Sequence, residues 1–332
     1  MRRFGKTLGR VLLVAFLALV GLFVFGPRTP GDVVAEFNPK VIGDNPVAYF
    51  EGQEARFSDI TPGAEKRIVW AGDQGQVTAQ SVVFIHGFSA TSEEIRPVPD
   101  LIATHLGANL VYTRLVGHGR GDNELGNTTV QAWYNDLAEA MAVARLVGNE
   151  VIVISNSTGG TLVGLAATGD DDGILSDVIA SIFLSPNFAL NSVAAPLLTQ
   201  GGVEWYLPLL IGKNLSFDVK NEMHEMFWTN RYPSRALLPV AAAVKEFSAR
   251  DHSIAAIPAL WIFSDEDQVI DHRETRRVAA QWGGGRVIST LAPQDVPDGN
   301  DPYQHVIAGD VMSPGMTGPV VDQIIAWVDA LQ

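Results

Sequence analysis

The six residues Ser155-Asn156-Ser157-Thr158-Gly159-Gly160 constrain this chain more than any other stretch. They follow the apolar run Val151-Ile152-Val153-Ile154 and precede a helix-like segment at 161–167. An apolar strand that turns at once into a helix, with a serine at the tip and small residues around it, describes a nucleophile elbow. Small neighbours are needed because strand and helix pack closely there. In this reading Ser157 projects its hydroxyl above the sheet edge. The helix N-terminus beneath it offers free N–H groups to a developing negative charge. The usual pattern is G-x-S-x-G, and Ser155 stands in the first glycine position, still a small residue.

Upstream, Ser81-Val82-Val83-Phe84-Ile85 reads as a second buried strand and ends in His86-Gly87-Phe88-Ser89. The loop after such a strand supplies a further backbone N–H to the oxyanion. Gly87 allows close approach, Phe88 is placed to donate, and His86 reads as a structural hydrogen-bonding group. A third strand over 109–113 leads to Gly117-His118-Gly119-Arg120, a turn beneath the site. The late strand Ala259-Leu260-Trp261-Ile262-Phe263 is followed by four carboxylates, Asp265, Glu266, Asp267 and Asp271, any of which can reach a histidine on the next loop. His305 lies between a strand at 286–291 and the last helix. Serine, acid and histidine in that chain order, each past the end of a strand, form one of the known orders of a catalytic triad.

Strand-like segments near 67–71, 81–85, 109–113, 151–154, 178–184, 259–263 and 286–291 alternate with helical ones. Val130, Trp133, Leu137, Met141 and Ala144 share one helical face, with Gly148 as the stop. The expected fold class is α/β, a mostly parallel sheet with helices on both faces and the site beyond the strands' carboxyl ends. Between Asn187 and Arg250 the pattern lapses into Trp205, Tyr206, Leu207, Leu209, Leu210, Met223, Met226, Phe227, Trp228 and Tyr232 among scattered charges. This segment is expected to form an inserted helical cap, its apolar side chains divided between anchoring it and lining a pocket.

Taken together, His86-Gly87-Phe88, Gly117-His118-Gly119-Arg120, the Ser157 elbow, the Asp267 loop and His305 resemble an α/β-hydrolase of the monoacylglycerol-lipase and serine-aminopeptidase-like branch. The resemblance covers roughly residue 66 to the C-terminus. It implies Ser157 as nucleophile, His305 as general base and acid, and Phe88 and Thr158 as backbone oxyanion donors. It also implies Asp267 as the orienting acid, since the acid of this branch commonly falls four residues past its strand and two before a valine. The implied activity is hydrolysis of a small to medium, apolar acyl ester without metal or other cofactor. One alternative is an aminopeptidase or amidase, which needs an acid such as Glu204, Glu222 or Glu225 to hold a substrate ammonium. A catalytically inactive, membrane-tethered binding protein is the third reading.

The net charge of −14 disfavours nucleic acid as a partner, and the absence of cysteine excludes thiolate chemistry and disulfides. At the N-terminus, Arg2, Arg3, Lys6 and Arg10 precede the apolar run from Val11 to Phe25. Cations before an apolar stretch describe a membrane anchor or a signal peptide. Pro27 directly after Gly26 makes a poor cleavage site, which favours an uncleaved anchor over a secreted, processed chain. The positive-inside rule then puts the catalytic domain on the periplasmic or extracytoplasmic side. The expected organisation is an anchor or signal segment (1–30), a linker and leader (31–65), a first part of the core (66–187), the cap (188–250) and a second part of the core (251–332). The sequence sets no oligomeric state.

Overall fold

Runs of Val, Ile and Phe bounded by Gly and polar residues build one sheet of seven strands in the computed structural model, which describes residues 2–169, 173–291, 297 and 299–331. In chain order the strands of the molecule are β1 (Arg67–Val69), β2 (Thr78–Ile85), β3 (Asn109–Tyr112), β4 (Gly148–Asn156), β5 (Val178–Leu184), β6 (Asn214–Ser216), β7 (Arg231–Pro233), β8 (Ala259–Ser264) and β9 (Arg286–Leu291). The large sheet runs β1-β3-β2-β4-β5-β8-β9. Only β1 is antiparallel to its neighbour; every other pairing is parallel. The central strands read as near-continuous apolar runs because helices cover both faces.

The helices are α1 (Arg2–Phe25), α2 (Pro46–Glu54), α3 (Val98–Leu106), α4 (Val130–Val147), α5 (Thr158–Ala167), α6 (Val203–Ile211), α7 (Glu222–Phe227), α8 (Leu237–Ser248), α9 (His272–Gln281) and α10 (Pro314–Asp329). On one face α4, α5 and α8 bury Trp133, Leu137, Met141, Leu162 and Phe247 against Phe183 and Trp261, whose rings stack 4.2 Å apart. On the other, α3 and α10 bury Ile102, Val320, Ile324 and Val328 against Phe84, Ile154 and Ile182. Thr129 caps α4 by accepting the Ala132 N–H. This is the expected α/β architecture.

The segment between β5 and β8 holds α6, the antiparallel β6–β7 pair, α7 and α8. Its last helix is part of the core: Val240, Ala243 and Phe247 of α8 join the cluster around α4 and α5. Of the cap's apolar residues, Leu207, Phe227 and Trp228 are buried and act as anchors, whereas Trp205, Leu209, Leu210, Met223 and Met226 are exposed.

Residues 31–65, expected as a linker, are built into the body of the molecule. Ile42 and Phe50 enter the core. Glu54 forms a two-pronged pair with buried Arg114, at 2.7 and 2.8 Å, and accepts the Lys66 N–H. Beside it the Lys66 ammonium lies between Asp136 and Glu139, and Tyr49 donates to Glu139.

The N-terminal segment is helical, but the expected transmembrane anchor is not supported. Among the described residues no helix is long and apolar enough to cross a membrane. The physical reason is length: the uninterrupted apolar run from Val11 to Phe25 spans about 22 Å as a helix, against roughly 30 Å of hydrocarbon. The C-terminal end of α1 docks on the cap. The Gly201 N–H donates to the Phe23 carbonyl and the Gly202 N–H to that of Pro27. Gly202, at φ +67°, lies directly against the Leu22 side chain, where any Cβ would clash.

Candidate active site

Ser157 occupies the sharp turn between β4 and α5 with φ 48° and ψ −118°, a conformation that costs an L-residue on the order of 1–3 kcal/mol. The turn is held by Ser157 N–H on the Leu184 carbonyl and by Gly160 N–H on the Ser157 carbonyl. A side chain at Gly159 would collide with the Ile85 carbonyl, so that glycine permits the approach of helix to strand. Ser155, in place of the usual glycine, is fully buried and donates its hydroxyl to the Ile182 carbonyl at 3.2 Å.

The structure brings the three side chains anticipated at the site together. His305 Nε2 lies 2.9 Å from Ser157 Oγ, and its Nδ1 lies 2.8 Å from Asp267 Oδ2. A carboxylate can only accept, so Nδ1 carries the proton and Nε2 is free to accept the serine hydroxyl. Burial alone would lower the His305 pKa. The charge and hydrogen bond of Asp267, with smaller contributions from Asp301 and Glu94, outweigh it and leave the imidazole above its ordinary value.

Of the four carboxylates near the end of β8, only Asp267 turns inward. Its Oδ1 accepts the Val269 and Ile270 N–H groups at 2.8 and 3.0 Å, which aims Oδ2 at His305. Asp265 is exposed and paired with Arg276, Asp271 caps α9 and pairs with Arg273, and Glu266 is exposed. Asp301 shapes the histidine loop, its Oδ2 accepting the His305 and Val306 N–H groups.

Among the described residues the backbone N–H groups of Phe88 and Thr158 find no acceptor. Thr158 opens α5, where the first N–H has no partner within the helix. Phe88 follows a pinned peptide. His86 Nε2 accepts the Leu115 N–H, so Nδ1 holds the ring proton and donates it to the Gly87 carbonyl at 2.9 Å. Burial pushes the His86 pKa down to about 4, which keeps this arrangement neutral. The Phe88 ring meets Tyr232 of β7 edge to face at 5.1 Å, and the Ser89 carbonyl accepts the Thr229 N–H, so the cap is fastened to this loop.

Glu94 is the site residue that the sequence did not single out. It is buried, and its Oε2 accepts the Gly87 N–H at 2.6 Å. Burial raises its pKa to about 7, offset in part by that N–H and by the Asn156 side chain. Its neighbour Glu93 instead pairs outward with Arg67 and Arg96, and nothing in the sequence separates the two.

The sequence model described as the alpha/beta hydrolase family matches residues 82–309, which run from β2 past His305. The chain belongs to this family. No curated protein matches it significantly. Its fold is similar to that of solved hydrolases at low identity. A metagenome-derived lipolytic enzyme of the LipS and LipT study superposes with a TM-score of 0.61 at 18% identity, covering 82% of this chain and 99% of that one. The monoacylglycerol lipase of Paleococcus ferrophilus gives 0.57 at 15%, covering 80% and 98%. A soluble variant of the Saccharomyces cerevisiae monoglyceride lipase gives 0.58 at 11%, covering 81% and 92%. At these identities the likeness of this hydrolase to each concerns the fold alone.

Proposed function

We propose that the protein is a serine hydrolase that cleaves a carboxylic ester of small to medium, apolar acyl character through an acyl-enzyme on Ser157. The observation that carries this reading is the hydrogen-bonded series Ser157–His305–Asp267 beside two unpartnered N–H groups. His305 Nε2 takes the hydroxyl proton as Ser157 Oγ bonds to the ester carbon, and Asp267 stabilises the imidazolium. The carbonyl oxygen becomes the oxyanion and receives the Phe88 and Thr158 N–H groups. His305 then returns the proton to the leaving alkoxide. Water repeats the sequence on the acyl-serine and releases the acid.

Ester is favoured over amide because the amide reading requires an acid to hold an ammonium. The cap candidates Glu204, Glu222 and Glu225 are all exposed to solvent. The half-buried Phe88 and Tyr232 rings, packed edge to face beside the proposed oxyanion donor, suit an apolar group instead. The lipolytic functions named for the structures of similar fold accord with this preference.

The test is labelling by a fluorophosphonate, mapped to Ser157, followed by turnover of p-nitrophenyl esters and aminoacyl anilides. Labelling with ester turnover, both lost in Ser157→Ala with the thermal transition retained, supports the reading. Anilide turnover without ester turnover selects the amidase. An unlabelled, folded protein means that Ser157 is not a nucleophile.

A further inference from the structure

Gly87 is held from both sides. Its carbonyl accepts the His86 Nδ1 proton at 2.9 Å and its N–H donates to Glu94 at 2.6 Å. A peptide is planar and trans, so the Phe88 N–H points opposite to the Gly87 carbonyl. Whatever fixes the two peptides around Gly87 therefore fixes the direction of the Phe88 N–H.

Glu94 is only 2% exposed, and no cation pairs with it among the described residues. A residue kept there only to fill space would be apolar, because burying an unpaired carboxyl is costly. Its surroundings give the carboxyl a task. A Cβ on Gly87 would come within 2.6 Å of Glu94 Oε1 and 2.9 Å of Ser157 Cβ, so carboxyl and nucleophile both close on the loop at Gly87. The same short segment also braces the histidine loop. Gly309, at φ +98°, packs directly on the Glu94 carbonyl and Ile95, and the Asp310 N–H donates to the Arg96 carbonyl at 2.8 Å. The segment thus touches the oxyanion loop and the loop that carries His305.

We propose that Glu94 is the positioning residue of the oxyanion loop: its carboxyl pins the Gly87 N–H and, through Gly87, aims the Phe88 N–H at the oxygen of the acyl carbon attacked by Ser157. This rests on the serine-hydrolase reading of the site. Protonated or ionised, the carboxyl retains an oxygen that accepts the Gly87 N–H. Reach is therefore the essential property, and charge is not.

The experiment compares full-length wild type with Glu94→Gln, Glu94→Asp and Glu94→Ala. It measures kcat and KM on a p-nitrophenyl ester and the affinity of a boronic acid, which adds to the serine as a tetrahedral anion. Glutamine keeps the reach and an acceptor, and is expected within about 5-fold of wild-type kcat. Aspartate keeps the charge but falls short by one methylene, and is expected to lose at least about 10-fold. Alanine is expected to lose about 100-fold in kcat, the loss typical of one oxyanion donor, with KM within about 3-fold and boronate affinity falling in parallel. If alanine does not fold, the contrast between glutamine and aspartate carries the test. Aspartate as active as wild type, glutamine as impaired as aspartate, or losses confined to KM would overturn the proposal. Failure of wild type to label at Ser157 would instead remove the serine-hydrolase reading on which it rests.

Discussion

Replacing Asp267 by asparagine separates an orienting acid from one that merely lies nearby. The carboxylate makes three hydrogen bonds: Oδ1 takes the Val269 and Ile270 N–H groups, and Oδ2 takes His305 Nδ1. An amide has one oxygen. If that oxygen stays with the two backbone donors, the NH2 faces His305 and forces the ring into the tautomer protonated on Nε2, which cannot accept the Ser157 proton. If the amide flips to suit His305, two buried N–H groups lose their acceptor, at about 1–3 kcal/mol each. The flip therefore costs about 2–6 kcal/mol, and the inactive tautomer prevails. The expected result is a loss of about 10⁴-fold in kcat, roughly 5.5 kcal/mol of transition-state stabilisation, with little change in KM. Asp265→Asn and Asp271→Asn, whose carboxylates face solvent and arginines, should stay within about 3-fold. The assay is steady-state ester hydrolysis alongside a thermal melt. Asp267→Asn retaining more than a tenth of wild-type kcat, or Asp265→Asn losing as much, would refute the argument.

Three further outcomes follow from the geometry. Gly87→Ala drives a methyl against Glu94 and Ser157; it should lower kcat by about 100-fold while costing about 1–3 kcal/mol of stability, read by kinetics and urea unfolding. Lys66→Met leaves Asp136 and Glu139 buried without their cation; the expected loss is about 3–5 kcal/mol in urea unfolding, partly recovered by adding Glu139→Gln. In the proposed mechanism His305 must be neutral, and its pKa is raised, so kcat/KM should fall on acidification with a midpoint above about 6.5. Asp267→Asn, which removes the negative neighbour, should move the residual activity's midpoint to lower pH.

The parts of this site that the sequence made legible are those whose geometry is local. Strand, serine and small residues stand within a dozen positions, so the elbow at Ser157 could be read directly. His305 was distinguished by its order in the chain and its place after a strand. Asp267 was separated from Asp265, Glu266 and Asp271 only by the spacing that the family resemblance implies, because what selects it physically is a pair of backbone donors that exist only once the loop has folded. Glu94 was invisible for the same reason: its partner, Gly87, lies on another segment, and its neighbour Glu93 has the opposite fate. The segment 31–65 did carry a local signal, Asn45 as helix cap followed by Pro46. Its scattered Pro, Gly and Asp suggested a linker, yet the Glu54–Arg114 pair ties it to the core across sixty positions of sequence.

The seating of Leu22 against Gly202 has a mechanical consequence. Gly202 is the residue from which α6 starts, and α6 leads through β6 and α7 to β7 and its Tyr232, which rests on Phe88. The end of α1 and the Tyr232–Phe88 contact are thus linked through the cap, like the two arms of a lever with its pivot at the glycine pair. A pull or a tilt applied to α1 is expected to reach the cap and its Tyr232 contact ahead of Ser157. Removing residues 1–25 is therefore expected to disturb the cap more than the Ser157–His305–Asp267 series, a shift in KM with kcat largely preserved.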